Sequence, residues 1–306
     1  MLLHITHSTV YHYTPLVNTA QHIAHLQPRE TPTQQVITSA VTITPEPATR
    51  RDAVDVFGNH RTFFSLVQGH SRLQLDATST VRTQALATAD TPRTSSPPWE
   101  KVRAHFQYHA GAAWDAATEF SFASTHVQPH AEFAQYARAS FTPQRPVLEA
   151  AVDLMQRIHH DFEYASQSTD VHTPALLALT QRRGVCQDFA HILLSCLRTQ
   201  GLAARYVSGY LLTEPPEGQP RLIGSDASHA WVSLYVPNLP GVSGQWLDLE
   251  PTNNRWGLHS PGEDYVCLAW SRDFADVSPV RGVIHGGASH TLEVGVTVMP
   301  MDEATA

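Results

Sequence analysis

Apolar and polar positions alternate with a period of two through the first part of the chain. Leu3, Ile5, Thr9, Tyr11 and Tyr13 share one parity, and residues 36–43, 62–67 and 73–81 form further β-rich runs. Such alternation is the mark of strands with one buried face. Pro28-Arg29, the prolines at 45 and 47, and Phe57-Gly58-Asn59 punctuate these runs, so the pattern predicts a β-sandwich over residues 1–84. From 83 to 100 the composition shifts to Thr, Ala, Ser and Pro, which reads as a linker over 85–100. The period then changes. Residues 132–140 and 147–160 carry helical spacing, with Leu148, Ala151, Val152, Met155 and Ile158 on one stripe, a core-facing pattern. A third helix opens at Cys186, with Phe189, Ile192, Leu193 and Leu197 in register and Gly201 after its end. Strand patterns follow at 203–212, 230–236, 245–249 and 265–270, and a last one at 291–298. Helices followed by a meander of strands predict an α+β domain over residues 101–306, with 291–298 as its final strand.

Cys186 is the position on which candidate chemistry centres. It follows Gly184-Val185 and falls in the first turn of its helix, where unpaired amides and the helix dipole favour a thiolate. Bringing a thiol from about 8.5 to about 6 requires roughly 3.4 kcal/mol, whereas a helix terminus supplies about 0.3–2 kcal/mol. A reactive Cys186 therefore needs a cationic partner, most simply an imidazolium. His229 opens the strand His229-Ala230-Trp231-Val232-Ser233, after a polar, proline-bearing loop at 213–228. It is well placed in sequence for a general base, and the loop reads as a specificity or gating element. An imidazole base needs a third group to orient it. Trp246-Leu247-Asp248-Leu249-Glu250-Pro251-Thr252 offers two carboxylates, Asp248 and Glu250, on the same face of one strand.

Charge and composition narrow the classes. The 306 residues carry a formal net charge of -8 with Lys101 as the single lysine, which argues against a nucleic-acid footprint and against an anionic membrane. There is neither a signal-peptide core nor a membrane-length apolar run. Three cysteines, Cys186, Cys196 and Cys267, cannot form a fully paired framework and suit a reducing compartment, so a cytoplasmic location is expected. Cys196 and Cys267 read as inert core thiols. The nearest histidine pairs, His159-His160 and His4-x-x-His7, lack metal-site spacing, so neither a metal nor a cofactor is expected. Gly282-x-x-x-Gly286-Gly287 has no lysine after it and gives no phosphate loop. His191 is expected to face a neighbour, and Asp188 to satisfy first-turn amides.

Taken together, Gly-Val-Cys186-Gln-Asp-Phe-Ala, His229-Ala-Trp231-Val and Trp246-Leu-Asp-Leu-Glu250-Pro251-Thr252 resemble the transglutaminase-like superfamily. Tyr11-x-Tyr13-x-Pro15, Leu26-x-Pro28-Arg29, Asp55-x-Phe57-Gly58-Asn59, the run from Ala204 to Tyr210, and Asp276-x-x-Pro279-Val280-x-Gly282 look like landmarks of its bacterial members with an appended β domain. The resemblance implies a papain-like core with Cys186 as nucleophile and His229 as its base and imidazolium partner. The usual aspartate of the family's Asp-Pro-Thr motif is Glu250 here. Motif register favours Glu250 as the orienting acid, with Asp248 the other choice. The oxyanion hole would include the Cys186 amide, with Gln187 and Tyr164 as candidates for its second donor.

Three functions fit these residues. The first is a cysteine protease or amidase acting through a thioester on a peptide, a protein or an amide-bearing polymer. The second is acyl transfer to an amine, as in true transglutaminases, which shares every named residue. The third is a peptide-binding module that keeps the fold without the chemistry. Oligomeric state has no signature in the sequence.

Overall fold

The computed structural model describes residues 1–84, 93–165, 169, 171, 173–213, 227–239, 242–287 and 289–302. The N-terminal strands are β1 (Leu2–Ala24), β2 (Gln34–Thr44), β3 (Thr49–Val54), β4 (His60–Leu66) and β5 (His70–Thr83). The middle of the chain holds α1 (Trp99–His105), α2 (Ala131–Ala137), α3 (Val147–Asp161), β6 (Glu163–Tyr164), α4 (Ala175–Gln181), β7 (Arg183–Gly184) and α5 (Cys186–Thr199). There follow β8 (Ala204–Leu211), β9 (Ala227–Leu239), β10 (Val242–Glu250), β11 (Arg255–Leu258), β12 (Tyr265–Ser271), α6 (Phe274–Val277), β13 (Val280–Gly286) and β14 (Ser289–Pro300). The fold is α+β, as the periodicities predict. Among the described residues no helix is long and apolar enough to cross a membrane.

The β domain is one seven-stranded sheet in the order β2-β5-β1-β4-β3, with β13 and β14 also pairing β1. The 23-residue β1 makes this possible by changing partners along its length. Its first half lies between β5 and β14, and after an irregularity near Val17 its second half lies between β4 and β13. The sheet therefore curls, and its two ends close over a core that includes Val17, Ile43, Phe64, Leu73 and Leu75.

Two boundaries differ from the sequence-based expectation. The 291–298 strand does not belong to the core domain: β14 runs antiparallel to β1 from Leu3↔Pro300 to Thr14↔Ser289. Alternation identifies a strand but not its partner, and the chain returns after α6 to cover the free edge of β1. Val296 and Val298 then join Leu3, Ile5 and Val81 in the same core cluster as α3 and α5, so the two domains share buried surface. The expected linker is also shorter than 85–100. Residues 85–92 lie outside the described residues, but Ser96 Oγ accepts from the Leu148 amide at 3.1 Å, Pro97 O accepts from Val147 N at 2.9 Å, and α1 begins at Trp99.

The core sheet has the order β11-β10-β9-β8-β12. Ala230, Val232 and Leu234 of β9, with Ala204 and Tyr206 of β8, pack with Phe189, Ile192 and Leu193 of α5. Edge strand β12 is closed by side chains. Gln34 donates Nε2 to Cys267 O and accepts from Cys267 N, both at 2.8 Å. Asn59 does the same for Trp270, donating to its carbonyl at 2.8 Å and accepting from its amide at 2.9 Å. Two carboxamides thus meet the main chain of β12 much as a neighbouring strand would, which ties the β domain to the core. The Arg29 guanidinium lies 3.1 Å over the Trp270 ring and donates to Asn59 Oδ1 at 2.6 Å. Asn59 is fully buried, so Asn59→Ala strands several buried groups and should lower stability by about 2–3 kcal/mol in urea unfolding. A change below about 0.5 kcal/mol would show that the clamp does not hold the interface.

Candidate active site

Cys186 is the first residue of α5, with Val185 as its N-cap. Valine has no capping oxygen, and the carboxylate of Asp188 at the third helical position takes over. Its Oδ2 accepts from the Val185 amide at 2.8 Å and from Thr169 Oγ1 at 2.6 Å, the arrangement expected of an acid in a first turn. Gly184 is required here, because a Cβ on it would lie 2.7 Å from Asp188 Cβ and Oδ2. The short parallel pair of β6 with β7 sets Tyr164 alongside Gly184. Cys186 is partly exposed, whereas Cys196 and Cys267 are buried. Burial pushes both of those thiols up, Cys267 to about 12.

His229 lies on β9 opposite Gly209 of β8. A side chain at Gly209 would collide with the Trp231 indole at 2.5 Å and with Val266 O at 2.2 Å, so the glycine makes room for the His-x-Trp pair. The His229 ring packs among Trp231, centroids 6.4 Å apart, and Tyr265, 5.9 Å apart. Its Nε2 lies 3.2 Å from Glu250 Oε1. The N–H is not aimed along that line, so the contact is an ion pair rather than an aligned hydrogen bond. The Cys186 thiol is the other group near enough to bear on the charge of the imidazole. Burial pulls the imidazolium down, but Cys186 and Glu250 together outweigh it and raise it to about 10.

Glu250 ends β10 and is fully buried. Pro251 stops the strand, and the turn brings two amides back onto the carboxylate. Thr252 N donates to Oε1 at 2.7 Å and Asn253 N to Oε2 at 2.9 Å. Asn253 Nδ2 at 2.8 Å and the Tyr265 hydroxyl at 2.9 Å complete the set. Burial alone would raise this acid, yet His229, Tyr265 and Asn253 hold it below its ordinary value. Asp248, two residues earlier, is engaged elsewhere. Its Oδ2 accepts from Trp231 Nε1 at 2.8 Å and its Oδ1 from Ser233 Oγ. Burial raises Asp248 to about 6 against the opposing pull of Ser233, Arg205 and Trp231. Of the two carboxylates, Glu250 is the one that touches His229, while Asp248 fixes the indole beside it.

The remaining expectations divide. Tyr164 is half-exposed, and its hydroxyl is raised by burial and by the neighbouring Cys186 and Glu250. Gln187 turns to Val171 O, to which its Nε2 donates at 3.4 Å. His191 is buried in a stack with His126, centroids 5.0 Å apart, and burial lowers it to about 3. The 213–228 loop lies outside the described residues for most of its length, from 214 to 226. Among the described residues no group of three His, Cys, Asp or Glu side chains is spaced to hold a metal ion. Three contributors have no signal in the sequence. Tyr265 and Asn253 reach Glu250 only through the fold. His159 of α3 donates Nδ1–H to the carbonyls of Pro251 and Thr252 at 3.0 and 3.1 Å, which fixes the turn behind Glu250.

Two family descriptions match this chain, the bacterial transglutaminase-like N-terminal region over residues 3–82 and the transglutaminase-like superfamily over residues 134–251. The chain belongs to the transglutaminase-like superfamily. An uncharacterized protein of Mycobacterium bovis is 37% identical over 97% of this chain and 92% of its own length. Another, from Mycobacterium leprae, is 29% identical over 97% and 98%. The crystal structure of a candidate cysteine protease from Cytophaga hutchinsonii superposes with a TM-score of 0.72 at 21% identity, covering 99% of this chain and 92% of that one. At that identity the likeness shows the fold. The transglutaminase-like core therefore carries both the helix that presents Cys186 and the two strands that bring His229 and Glu250 together.

The charge arrangement predicts how His229 titrates. Its folded-state pKa is raised, so the ring should stay protonated through neutral pH and lose its proton near pH 10 when followed by NMR. Replacing Glu250 by Gln removes a negative charge, leaves burial less opposed, and should bring the midpoint down. A wild-type midpoint at or below about 6.5 would contradict the ion pair.

Proposed function

We propose that this transglutaminase-like protein is a cysteine hydrolase that cleaves an amide, peptide or isopeptide bond through a thioester on Cys186. The observation that carries this reading is a buried imidazole paired with the buried Glu250 carboxylate and near enough to the Cys186 thiol for both to favour its charged form. An imidazolium held between a thiol and a carboxylate is the cationic partner that a helix terminus alone does not replace. Cys186 Sγ, as the thiolate whose proton the His229 ring carries, attacks the substrate carbonyl carbon, and the developing oxyanion meets the Cys186 backbone amide at the start of α5. Collapse breaks the C–N bond and His229 gives its proton to the departing amine. Water then attacks the thioester as His229 takes one of its protons, releasing a carboxylic acid and restoring the thiolate beside the protonated ring. Glu250 keeps the ring oriented and stabilises its charged form, and Asp248 acts one step back by holding Trp231.

Water as acceptor is supported by the openness of the site, since Cys186 is partly exposed and Tyr164 beside it is 53% exposed. Transfer to an amine would require that water be kept out. A purely peptide-binding role would leave the buried ion pair of His229 with Glu250 without a purpose, and burying two such charges is expensive. The substrate class is a peptide, a protein or an amide-bearing polymer.

Labelling by a thiol-directed acyl probe should be lost in Cys186→Ala. Turnover of a glutamine- or isoglutamyl-bearing peptide should yield the free acid even with a millimolar amine present. Full labelling of the variant would remove Cys186 as nucleophile, and amine-incorporated product would replace hydrolysis by acyl transfer.

A further inference from the structure

A cavity of about 650 Å³ opens at the junction of the β domain with the core, at the far end of β9 and β10 from His229 and Glu250. Tyr235 is six residues along β9 from His229, roughly 20 Å at about 3.3 Å per residue. The cavity is therefore separate from the cysteine site.

Its walls are rings set at angles to one another. Tyr235 and Trp246 have centroids 5.0 Å apart at 54°, Phe120 meets Trp246 at 5.6 Å and 87°, and Phe57 meets Phe120 at 5.1 Å and 42°. Trp114, 70% exposed, and Val56, 93% exposed, also line it. The charged side chains that line it are both acidic, Asp115 and Glu119. Asp115 is held in place: Oδ1 accepts from Ala117 N at 2.9 Å and Oδ2 lies 2.8 Å from His105 Nε2. Glu119 stands in the short 3-10 turn Ala116–Ser121.

Aromatic faces carry partial negative charge, so a ring face turned to the cavity and the two carboxylates have the same sign of preference. An anion is repelled by both, whereas a cation is attracted by both. Walls that meet at steep angles suit a compact cation better than a flat neutral ring. The same tryptophans already accept guanidinium groups: Arg205 lies 3.7 Å over Trp246 and 3.5 Å over Trp270, and Arg29 3.1 Å over Trp270. Neither arginine lines the cavity, and each has a carboxylate neighbour, Asp248 for Arg205 and Asp55 for Arg29.

We propose that this cavity binds an ammonium group, with its rings around the charge and Asp115 and Glu119 supplying the countercharge. The ammonium could be carried by a lysine side chain of a polypeptide or by a small quaternary amine. Isothermal titration of the full chain with acetyl-Ala-Lys-Ala-amide and with tetramethylammonium chloride distinguishes these sources. Saturable binding of the peptide alone assigns a basic side chain, and of tetramethylammonium alone a quaternary amine. Both Trp114→Ala and Glu119→Gln should weaken whichever binding is seen by about tenfold or more. Both positions lie away from the main core clusters, and unchanged circular dichroism will separate lost binding from lost folding. The proposal is overturned if neither probe binds at millimolar concentration, if neither variant weakens binding, or if the same peptide with norleucine in place of lysine binds as well as the lysine peptide.

Discussion

A fully buried carboxylate facing a buried imidazole is the constraint on which this molecule depends. Glu250 would be costly to ionise in such a place without partners, and breaking one side of a buried pair typically costs about 3–5 kcal/mol. The sequence supplies the partners locally and at a distance. Pro251 ends β10 and turns the chain so that the Thr252 and Asn253 amides fall back on the carboxylate, while Tyr265 reaches in from β12. His159 of α3 ties down the carbonyls of the same turn. With its oxygens held from several directions, Glu250 can meet His229 at one fixed place.

The position of Tyr265 links that site to the domain interface. It starts β12, the edge strand whose main chain is met by the side-chain amides of Gln34 and Asn59. The β domain therefore braces the strand that braces the carboxylate. Arg29, Trp270, Arg205 and Trp246 extend this contact as alternating guanidinium and indole groups across one face of the core sheet. Closing an exposed strand edge in this way also removes a hazard for unwanted pairing.

Much of this was legible from the residues. A glycine before a cysteine that opens a helical stripe locates the thiol, because the close approach of Gly184 to Asp188 and the first-turn position are local events. The parity of Asp248 and Glu250 puts both on one face but cannot choose between them. That choice is made by Trp231 and Ser233, which occupy Asp248, and by the turn after Pro251, which assembles donors around Glu250. The strand at 291–298 shows a similar limit: alternation fixes which side chains are buried, not which sheet receives them, and here β1 receives it. Likewise the Ser-Pro stretch before Trp99 has linker composition, yet the chain packs it against the start of α3.

Two neighbouring carboxylates divide the labour, one holding the base and the other holding the indole beside it. Comparing the rate at which Cys186 is acylated by an activated acyl donor in Glu250→Gln and Asp248→Asn tests it most directly. Glu250→Gln should slow acylation by roughly 10²–10⁴-fold and Asp248→Asn by only a few-fold. The reverse order, or equal rates in both variants and the wild type, would contradict it.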